Sequence, residues 1–220
     1  MDEKLLYKAS VLSYDTHNPI DLNQNFKLKF HSNTLNCYVD ESTKQVIIGI
    51  RGTNVRDFSD VKADLSLPFN NLHNTNRFQF DDKLMREITE QYPPQQYSYY
   101  MSGHSLGTAV MTELMRRYPF VQQAVGYNGA FQPKDFQLKN ENIKRLYVDK
   151  DPLYRNGGFM FNPVTVIQFK SKGFFDWFFN RISGKKEALA AHRLPNFKNY
   201  YGMGYEMCKH RIVSQIALKK

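Results

Sequence analysis

The sequence predicts an α/β domain in which a central, mostly parallel sheet is flanked by helices. Two patterns lead to this expectation. Short apolar runs rich in β-branched or aromatic residues recur along the chain, and several are separated by segments with apolar residues at helical spacing. Strands that alternate with helices pack as a layered α/β domain. The 220 residues suit one domain, so residues 1–220 are interpreted as a single unit.

Before residue 97 the patterns predict a helix, three strands and a second helix, at residues 3–13, 26–30, 35–39, 45–51 and 78–92. The strand at 45–51 is the strongest because β-branched residues dominate it. Four apolar residues at helical spacing predict the buried face of the second helix: Phe80, Leu84, Ile88 and Tyr92. A pair of prolines then ends this helix.

After residue 97 the same alternation continues. The patterns predict a strand at 97–101, a helix at 108–118, strands at 123–128, 145–148 and 164–169, and a final helix at 207–218. Aromatic residues make up 15% of the chain, which supplies ample material for a core and excludes a disordered protein.

The net charge of +9 is unevenly distributed along the chain. Residues 1–110 hold 11 basic and 13 acidic residues, a balance of −2, whereas residues 111–220 hold 19 basic and 8 acidic, a balance of +11. Such a positive field favours anionic partners, either an acidic membrane surface or nucleic acid. Nucleic-acid binding is the weaker expectation, because the sequence contains no nucleic-acid-binding motif.

The first residues are acidic and never develop an apolar core, so no secretory signal peptide is expected. No apolar run approaches the length of a membrane-spanning helix. The two cysteines, Cys37 and Cys208, form neither a metal-binding spacing nor a disulfide framework. These observations predict an intracellular protein, cytoplasmic or peripheral on a membrane, without metal or cofactor. They leave its oligomeric state undetermined.

The most informative motif is Gly-His-Ser-Leu-Gly at residues 103–107. It lies between the predicted strand at 97–101 and the predicted helix at 108–118, the setting of a nucleophile elbow. Such a turn presents a serine hydroxyl near a base and near amides that receive negative charge, and flanking glycines permit its tight geometry. Ser105 is therefore a candidate nucleophile.

A serine in this setting needs a histidine base and an acid, which follow it in the order acid, then histidine. Only two histidines, His192 and His210, follow Ser105, and His192 is favoured because Pro195 indicates a turn. For the acid, Asp149 and Asp151 follow a predicted strand. Asp151 is favoured because the proline after it indicates a loop.

An oxyanion hole needs two hydrogen-bond donors near the serine. The amide of Leu106, the residue after the nucleophile, supplies one. The second is expected from the loop after the strand at 45–51, where Thr53 offers both an amide and a hydroxyl.

These motifs, in this order, resemble the class 3 lipases, the fungal-type triacylglycerol lipase family. The resemblance rests on Arg-Gly-Thr at 51–53, Asp60 to Leu65, Gly-His-Ser-Leu-Gly at 103–107, Asp151 with its proline, and His192 followed by Leu194 and Phe197. It covers about residues 35 to 200 and implies an α/β-hydrolase fold. It implies Ser105, Asp151 and His192 as catalytic triad, Thr53 and Leu106 as oxyanion donors, and a lid behind Thr53.

Two segments are candidates for contact with lipid. Residues 54–65, the lid implied by the resemblance, carry an apolar stripe beside a charged face, formed by Val55, Phe58, Val61 and Leu65. Residues 170–186 are rich in aromatic side chains between flanking cations, as an interfacial helix requires. Its aromatic residues are Phe174, Phe175, Trp177, Phe178 and Phe179. The alternative for both segments is ordinary packing, at the surface for the first and in the core or an acyl channel for the second.

The sequence thus predicts a serine hydrolase of lipid esters, either phospholipids or acylglycerols, with an anionic membrane surface as a peripheral partner. The alternative is a protein that binds membranes peripherally and retains the hydrolase fold without catalysis.

Overall fold

The computed structural model describes residues 1–53, 69–137, 142–161, 164–167 and 191–202. Within these residues seven strands form one sheet and are arranged in chain order. The strands are β1 Lys27–His31, β2 Leu35–Asp40, β3 Gln45–Ile50, β4 Ser98–His104, β5 Val121–Tyr127, β6 Ile143–Val148 and β7 Val164–Ile167.

The sheet is mostly parallel. β1, β2 and β3 pair antiparallel, whereas β3 to β7 are all parallel, with Ile50 beside Gly103 and Gly103 beside Gly126. The carboxyl ends of β3, β4, β5 and β6 therefore meet at one edge, where ligands bind in open α/β sheets. The predicted fold class, a central, mostly parallel sheet flanked by helices, is confirmed.

The α-helices of the described residues are α1 Glu3–Leu12, α2 Asn76–Gln91, α3 Leu106–Arg117 and the single turn α4 Pro152–Arg155. Side chains that accept amide hydrogen bonds cap three of them at the start: Asp2 accepts from Lys4 in α1, Thr75 from Phe78 in α2, and Asp151 from Leu153 and Tyr154 in α4. Such caps satisfy amides that the first helical turn leaves unpaired.

Two apolar layers cover the two faces of the sheet, because successive strand residues point to opposite sides. On β3, Val46, Ile48 and Ile50 face the layer formed with α2 and α3. Ile47 faces the other layer, which α1 and residues 191–202 complete. Helix α1 lies very close to β3, since a side-chain carbon added at Gly49 would meet the Ala9 carbonyl oxygen at 2.4 Å.

The predicted buried face of α2 is wrong at Phe80, which is 47% exposed. Leu84, Ile88 and Tyr92 do pack in the core. The buried face of α2 also includes Phe78, Asp81, Asp82 and Met85. Two aspartates can be buried there because each has charged partners: Asp81 pairs with Arg77, and Asp82 with Arg86 and Arg117. A search for apolar residues alone could not identify these two aspartates as buried.

The other predicted elements lie close to the observed ones. Strand β4 extends three residues beyond the predicted 97–101 and includes the first two motif residues, Gly103 and His104. The predicted helix at 207–218 lies outside the described residues. Among the helices that the structure describes, none is both long and apolar enough to cross a membrane.

Candidate active site

Ser105 occupies a sharp turn between β4 and α3. Its φ of 54° is unusual for a residue with a side chain, and such a backbone conformation is costly unless the surroundings hold it. The two motif glycines make the turn possible. A side-chain carbon at Gly103 would lie 2.6 Å from the Gly107 carbonyl oxygen, and one at Gly107 would lie 2.4 Å from the Ile50 carbonyl oxygen. Helix α3 therefore begins against both β4 and the end of β3.

Backbone hydrogen bonds hold this strained residue in place. The Ser105 amide donates to the Tyr127 carbonyl at 3.1 Å, and its carbonyl accepts from the amides of Thr108 at 2.9 Å and Ala130 at 3.0 Å. The turn is thus fastened to the end of β5 and to the loop that follows it.

Asp151 lies after β6, at the same edge of the sheet, and is fully buried. It caps the single turn α4, where its Oδ1 accepts from the amides of Leu153 at 2.8 Å and Tyr154 at 3.3 Å. The proline at the first position of α4 needs no amide partner, which explains the Asp-Pro pair. These bonds leave Oδ2 to face the histidine.

His192 joins the two other predicted residues. Its Nδ1 lies 2.6 Å from Oδ2 of Asp151, and its Nε2 lies 2.8 Å from Oγ of Ser105. The carboxylate oxygen only accepts hydrogen bonds, so Nδ1 carries the proton and neutral Nε2 accepts from the serine hydroxyl. His192 is 2% exposed, and Ser105 is 6% exposed. The three side chains therefore form one buried, continuous chain of hydrogen bonds.

The sequence offered two alternatives to this set. Asp149 lies two residues before Asp151, and its amide donates to the Ile167 carbonyl of β7 at 3.0 Å. His210 lies outside the described residues. The structure brings together the favoured pair, Asp151 and His192, with Ser105.

Asn128 fixes the segment that carries His192, and sequence reasoning missed it. This fully buried residue at the end of β5 has a φ of 42°. Its Nδ2 donates to the Ala191 carbonyl at 3.0 Å, and its Oδ1 accepts from the Val148 amide at 2.9 Å. The backbone next to His192 is thereby tied to the sheet. An asparagine directly after a strand, before a glycine, was the available signal, because asparagine tolerates positive φ.

A buried phenol stabilises the same edge of the sheet. Tyr147 on β6 donates from its hydroxyl to the Gly129 carbonyl at 2.9 Å. Burial raises the pKa of this phenol well above its ordinary value, so it remains a neutral donor near the site.

One expected oxyanion donor belongs to the elbow, and the other follows a residue that lies against it. Leu106 follows Ser105 as the first residue of α3. Thr53 follows Gly52 in the loop after β3, and Gly52 approaches Ser105 so closely that a side-chain carbon there would lie 2.9 Å from the serine Cβ. Both residues are thus adjacent to the elbow, and their role as donors remains a prediction.

The expected lipid contacts fall on parts of the chain that the structure does not describe. Residues 54–65 lie outside the described ranges, with Val55, Phe58, Val61 and Leu65. Residues 170–186 also lie outside them, with Phe174, Phe175, Trp177, Phe178 and Phe179.

The chemistry available to this arrangement is nucleophilic acyl transfer. A hydroxyl hydrogen-bonded to an imidazole, which a carboxylate orients, is the arrangement that activates a serine. Among the described side chains, no group of three or more His, Cys, Asp or Glu residues is placed to hold a metal ion.

Solved structures similar to this chain include fungal lipases. Lipase II from Rhizopus niveus is 16% identical with a TM-score of 0.49, over 77% of this chain and 80% of that one. The triacylglyceride lipase of Rhizomucor miehei is 17% identical with a TM-score of 0.47, over 69% and 72%. The mono- and diacylglycerol lipase of Aspergillus oryzae is 17% identical with a TM-score of 0.46, over 69% and 71%.

No protein-family model matches the chain, and no curated protein matches it by sequence. Identities and TM-scores as low as those of the fungal lipases do not establish a shared activity. The activity has to follow from the chemistry of Ser105, His192 and Asp151.

Proposed function

We propose that this protein is a serine ester hydrolase that acts on lipid esters. One observation carries the proposal: His192 bridges Asp151 and Ser105 through both ring nitrogens, at 2.6 Å and 2.8 Å, with the serine on a strained turn between strand and helix. Strained backbone conformations that the surroundings hold in place cluster at functional sites. A buried carboxylate on one nitrogen and a hydroxyl on the other match the needs of general base catalysis.

In the proposed first half-reaction, Oγ of Ser105 attacks the ester carbonyl carbon while Nε2 of His192 takes the hydroxyl proton. The carbonyl oxygen becomes an oxyanion, for which the amides of Leu106 and Thr53 are the proposed donors. His192 then gives its proton to the leaving alcohol, and the carbonyl re-forms as an acyl-enzyme. Asp151 stabilises the imidazolium throughout.

In the second half-reaction water replaces the serine as nucleophile. His192 removes a proton from water, which attacks the acyl carbon, and the collapse of the second oxyanion returns the proton to Ser105. The products are a fatty acid and the free enzyme. Burial of all three side chains supports this scheme, since each interaction is stronger away from water.

An aromatic cluster beside the elbow supports an apolar acyl group as substrate. Phe131 directly follows Ala130, whose amide donates to the Ser105 carbonyl. The ring of Phe131 packs on those of Phe136 and Phe161, at centroid distances of 5.2 and 5.4 Å. These rings pack on the apolar layer of the core and are joined to the elbow through Ala130, and we propose that the hydrocarbon chain of the substrate lies against them.

The lipid class is proposed from charge. Residues 111–220 carry a balance of +11, which favours anionic phospholipid over neutral acylglycerol at the membrane surface. Residues 170–186 are the proposed interfacial segment, and residues 54–65 are the proposed lid. Trp177 is the only tryptophan of the chain, so its emission reports whether the segment enters a bilayer.

The proposal is tested by fatty-acid release from anionic phospholipid vesicles and from triglyceride emulsion. Ser105→Ala should lower turnover by roughly a millionfold, because loss of the nucleophile removes the covalent route. Ser102→Ala is the matched control: this serine is also buried, on β4, and its hydroxyl has no hydrogen-bond partner. It should retain near wild-type turnover.

Three results are informative. Fatty-acid release that disappears only in Ser105→Ala supports a serine ester hydrolase, and the lipid that is hydrolysed faster identifies the substrate class. Equal or faster release from neutral emulsion would contradict the preference for anionic phospholipid. Vesicle binding reported by Trp177, without release by the folded wild-type protein, would instead indicate a non-catalytic membrane-binding protein.

A further inference from the structure

A chain of hydrogen bonds joins the segment after α1 to the backbone of His192. The Tyr14 hydroxyl lies 2.6 Å from Nδ1 of His104, and Nε2 of His104 lies 2.8 Å from the His192 carbonyl oxygen. The Gly52 amide donates to the same Tyr14 hydroxyl at 3.1 Å. The proposed catalytic scheme uses neither Tyr14 nor His104.

The direction of each bond follows from its end points. A carbonyl oxygen only accepts, so Nε2 of His104 carries a proton and donates to His192. In the neutral imidazole Nδ1 then accepts, and the Tyr14 hydroxyl is its donor. The hydroxyl oxygen has lone pairs left to accept from the Gly52 amide. Every donor in this chain meets an acceptor with one tautomer of His104, so the arrangement is self-consistent.

Tyr14 is held rigidly enough to act as an anchor. Its amide donates to the Val11 carbonyl at the end of α1, and α1 packs directly on β3 through the close approach of Ala9 to Gly49. The Arg51 guanidinium lies 5.5 Å from the centre of the Tyr14 ring, within the range of a cation–π contact. The hydroxyl is therefore fixed relative to the sheet.

We propose that Tyr14 and His104 are positioning residues that hold two parts of the site around Ser105, the base His192 and the loop of Gly52 and Thr53, an inference that rests on the proposed function. His104 is adjacent to Ser105 in the chain and supports the His192 backbone. Tyr14 supports His104 and the strand end at Gly52, next to Thr53. The Tyr14 hydroxyl thus links, directly or through His104, the nucleophile turn, the base and the loop of the proposed oxyanion donor, which must all converge on the ester carbonyl.

The contribution of such residues lies in orientation rather than in contact with substrate. A displacement of about 1 Å in a catalytic group can lower the rate about a hundredfold. Loss of this network is therefore expected to lower kcat while KM, which reflects binding of the lipid, stays nearly constant.

The first test replaces the Tyr14 hydroxyl alone. Tyr14→Phe keeps the ring but leaves His104 and Gly52 without this partner, so kcat should fall about 10- to 100-fold with KM within about twofold of wild type. The rate at which a fluorophosphonate labels Ser105 should fall by the same factor. Tyr38→Phe is the matched control, because Tyr38 is a buried tyrosine in the same apolar layer whose hydroxyl accepts from Asn36. It should leave both rates near wild type.

The second test separates positioning from packing at His104, which is 6% exposed. His104→Gln can still donate from its terminal amide to the His192 carbonyl, whereas His104→Leu fills the space without a donor. A positioning role of His104 predicts higher activity in the Gln variant than in the Leu variant. Simple packing predicts the reverse, because leucine suits an apolar layer better.

The outcomes distinguish this inference from the proposed function. If wild-type protein is not labelled at Ser105, the proposed function itself fails. If wild type is labelled, but Tyr14→Phe reacts as fast as Tyr38→Phe and His104→Leu as fast as His104→Gln, the positioning role is overturned. Should Tyr14→Phe not fold, the comparison at His104 still decides.

Discussion

The replacement Asp151→Asn tests the electrostatic logic of the site with almost no change of shape. Oδ1 of Asp151 accepts from two backbone amides of α4 while Oδ2 faces Nδ1 of His192. An asparagine must keep its oxygen toward the two amides, because its NH₂ group there would meet donors only. The NH₂ group is then directed at Nδ1 of His192.

This orientation of the asparagine determines the tautomer of His192 and therefore the expected fall in kcat. A donor facing Nδ1 forces that nitrogen to accept, so the proton of the neutral imidazole moves to Nε2, where it faces Ser105. His192 can then no longer take the serine proton. A base held in the wrong tautomer lowers kcat about 10⁴-fold, which corresponds to about 5 kcal/mol in the activation barrier. Folding stability should change little, since asparagine is as good a helix cap as aspartate.

The assay is kcat for ester hydrolysis beside the midpoint of thermal unfolding. Asp149→Asn is the matched control and should alter kcat by no more than about twofold, because this residue is not the acid in the proposed triad. Asp151→Asn with kcat within tenfold of wild type would refute the reasoning. A large loss of activity in Asp149→Asn, with the activity of Asp151→Asn unchanged, would also refute it.

Two further predictions concern the framework of the site. In Gly107→Ala the new methyl group would lie 2.4 Å from the Ile50 carbonyl oxygen. The free energy of unfolding measured in urea should therefore fall by about 1–3 kcal/mol, and fluorophosphonate should label Ser105 more slowly. Unchanged stability would contradict this contact. Asp82→Asn should lower the free energy of unfolding by about 2 kcal/mol at neutral pH. Burial raises the pKa of Asp82, but hydrogen bonds from Tyr118 and other partners outweigh it and lower the pKa overall. The stabilisation is therefore present above about pH 4 and lost as pH falls through the folded-state pKa, so wild type and variant should converge in acid, and a constant difference would contradict the assignment.

The sheet and the elbow could be predicted because their signals are local. Strand β3 is a continuous run of apolar, mostly β-branched residues, and the motif at 103–107 lies where β4 meets α3. Chain order limited the base and the acid to few candidates. The proline after Asp151 predicted a loop, whereas in the structure it is the first residue of α4, the single helical turn that Asp151 caps.

The parts that could not be predicted depend on contacts between distant residues. Tyr14 and His104 are separated by 90 positions, and nothing near Tyr14 in the sequence indicates that its hydroxyl reaches the elbow. The burial of Asp82 on α2 was not predicted for the same reason, because this aspartate is buried through partners on α3 such as Arg117. Polar residues are buried according to tertiary partners, which periodicity does not reveal.

The most direct test of the central claim is the mapping of a fluorophosphonate adduct by mass spectrometry of the digested protein. The account predicts a single adduct on Ser105, formed by the wild-type chain and absent from both Ser105→Ala and heat-unfolded protein, since only the folded site activates the hydroxyl. An adduct on another serine, or none on a folded protein, would contradict the assignment of Ser105 as the nucleophile.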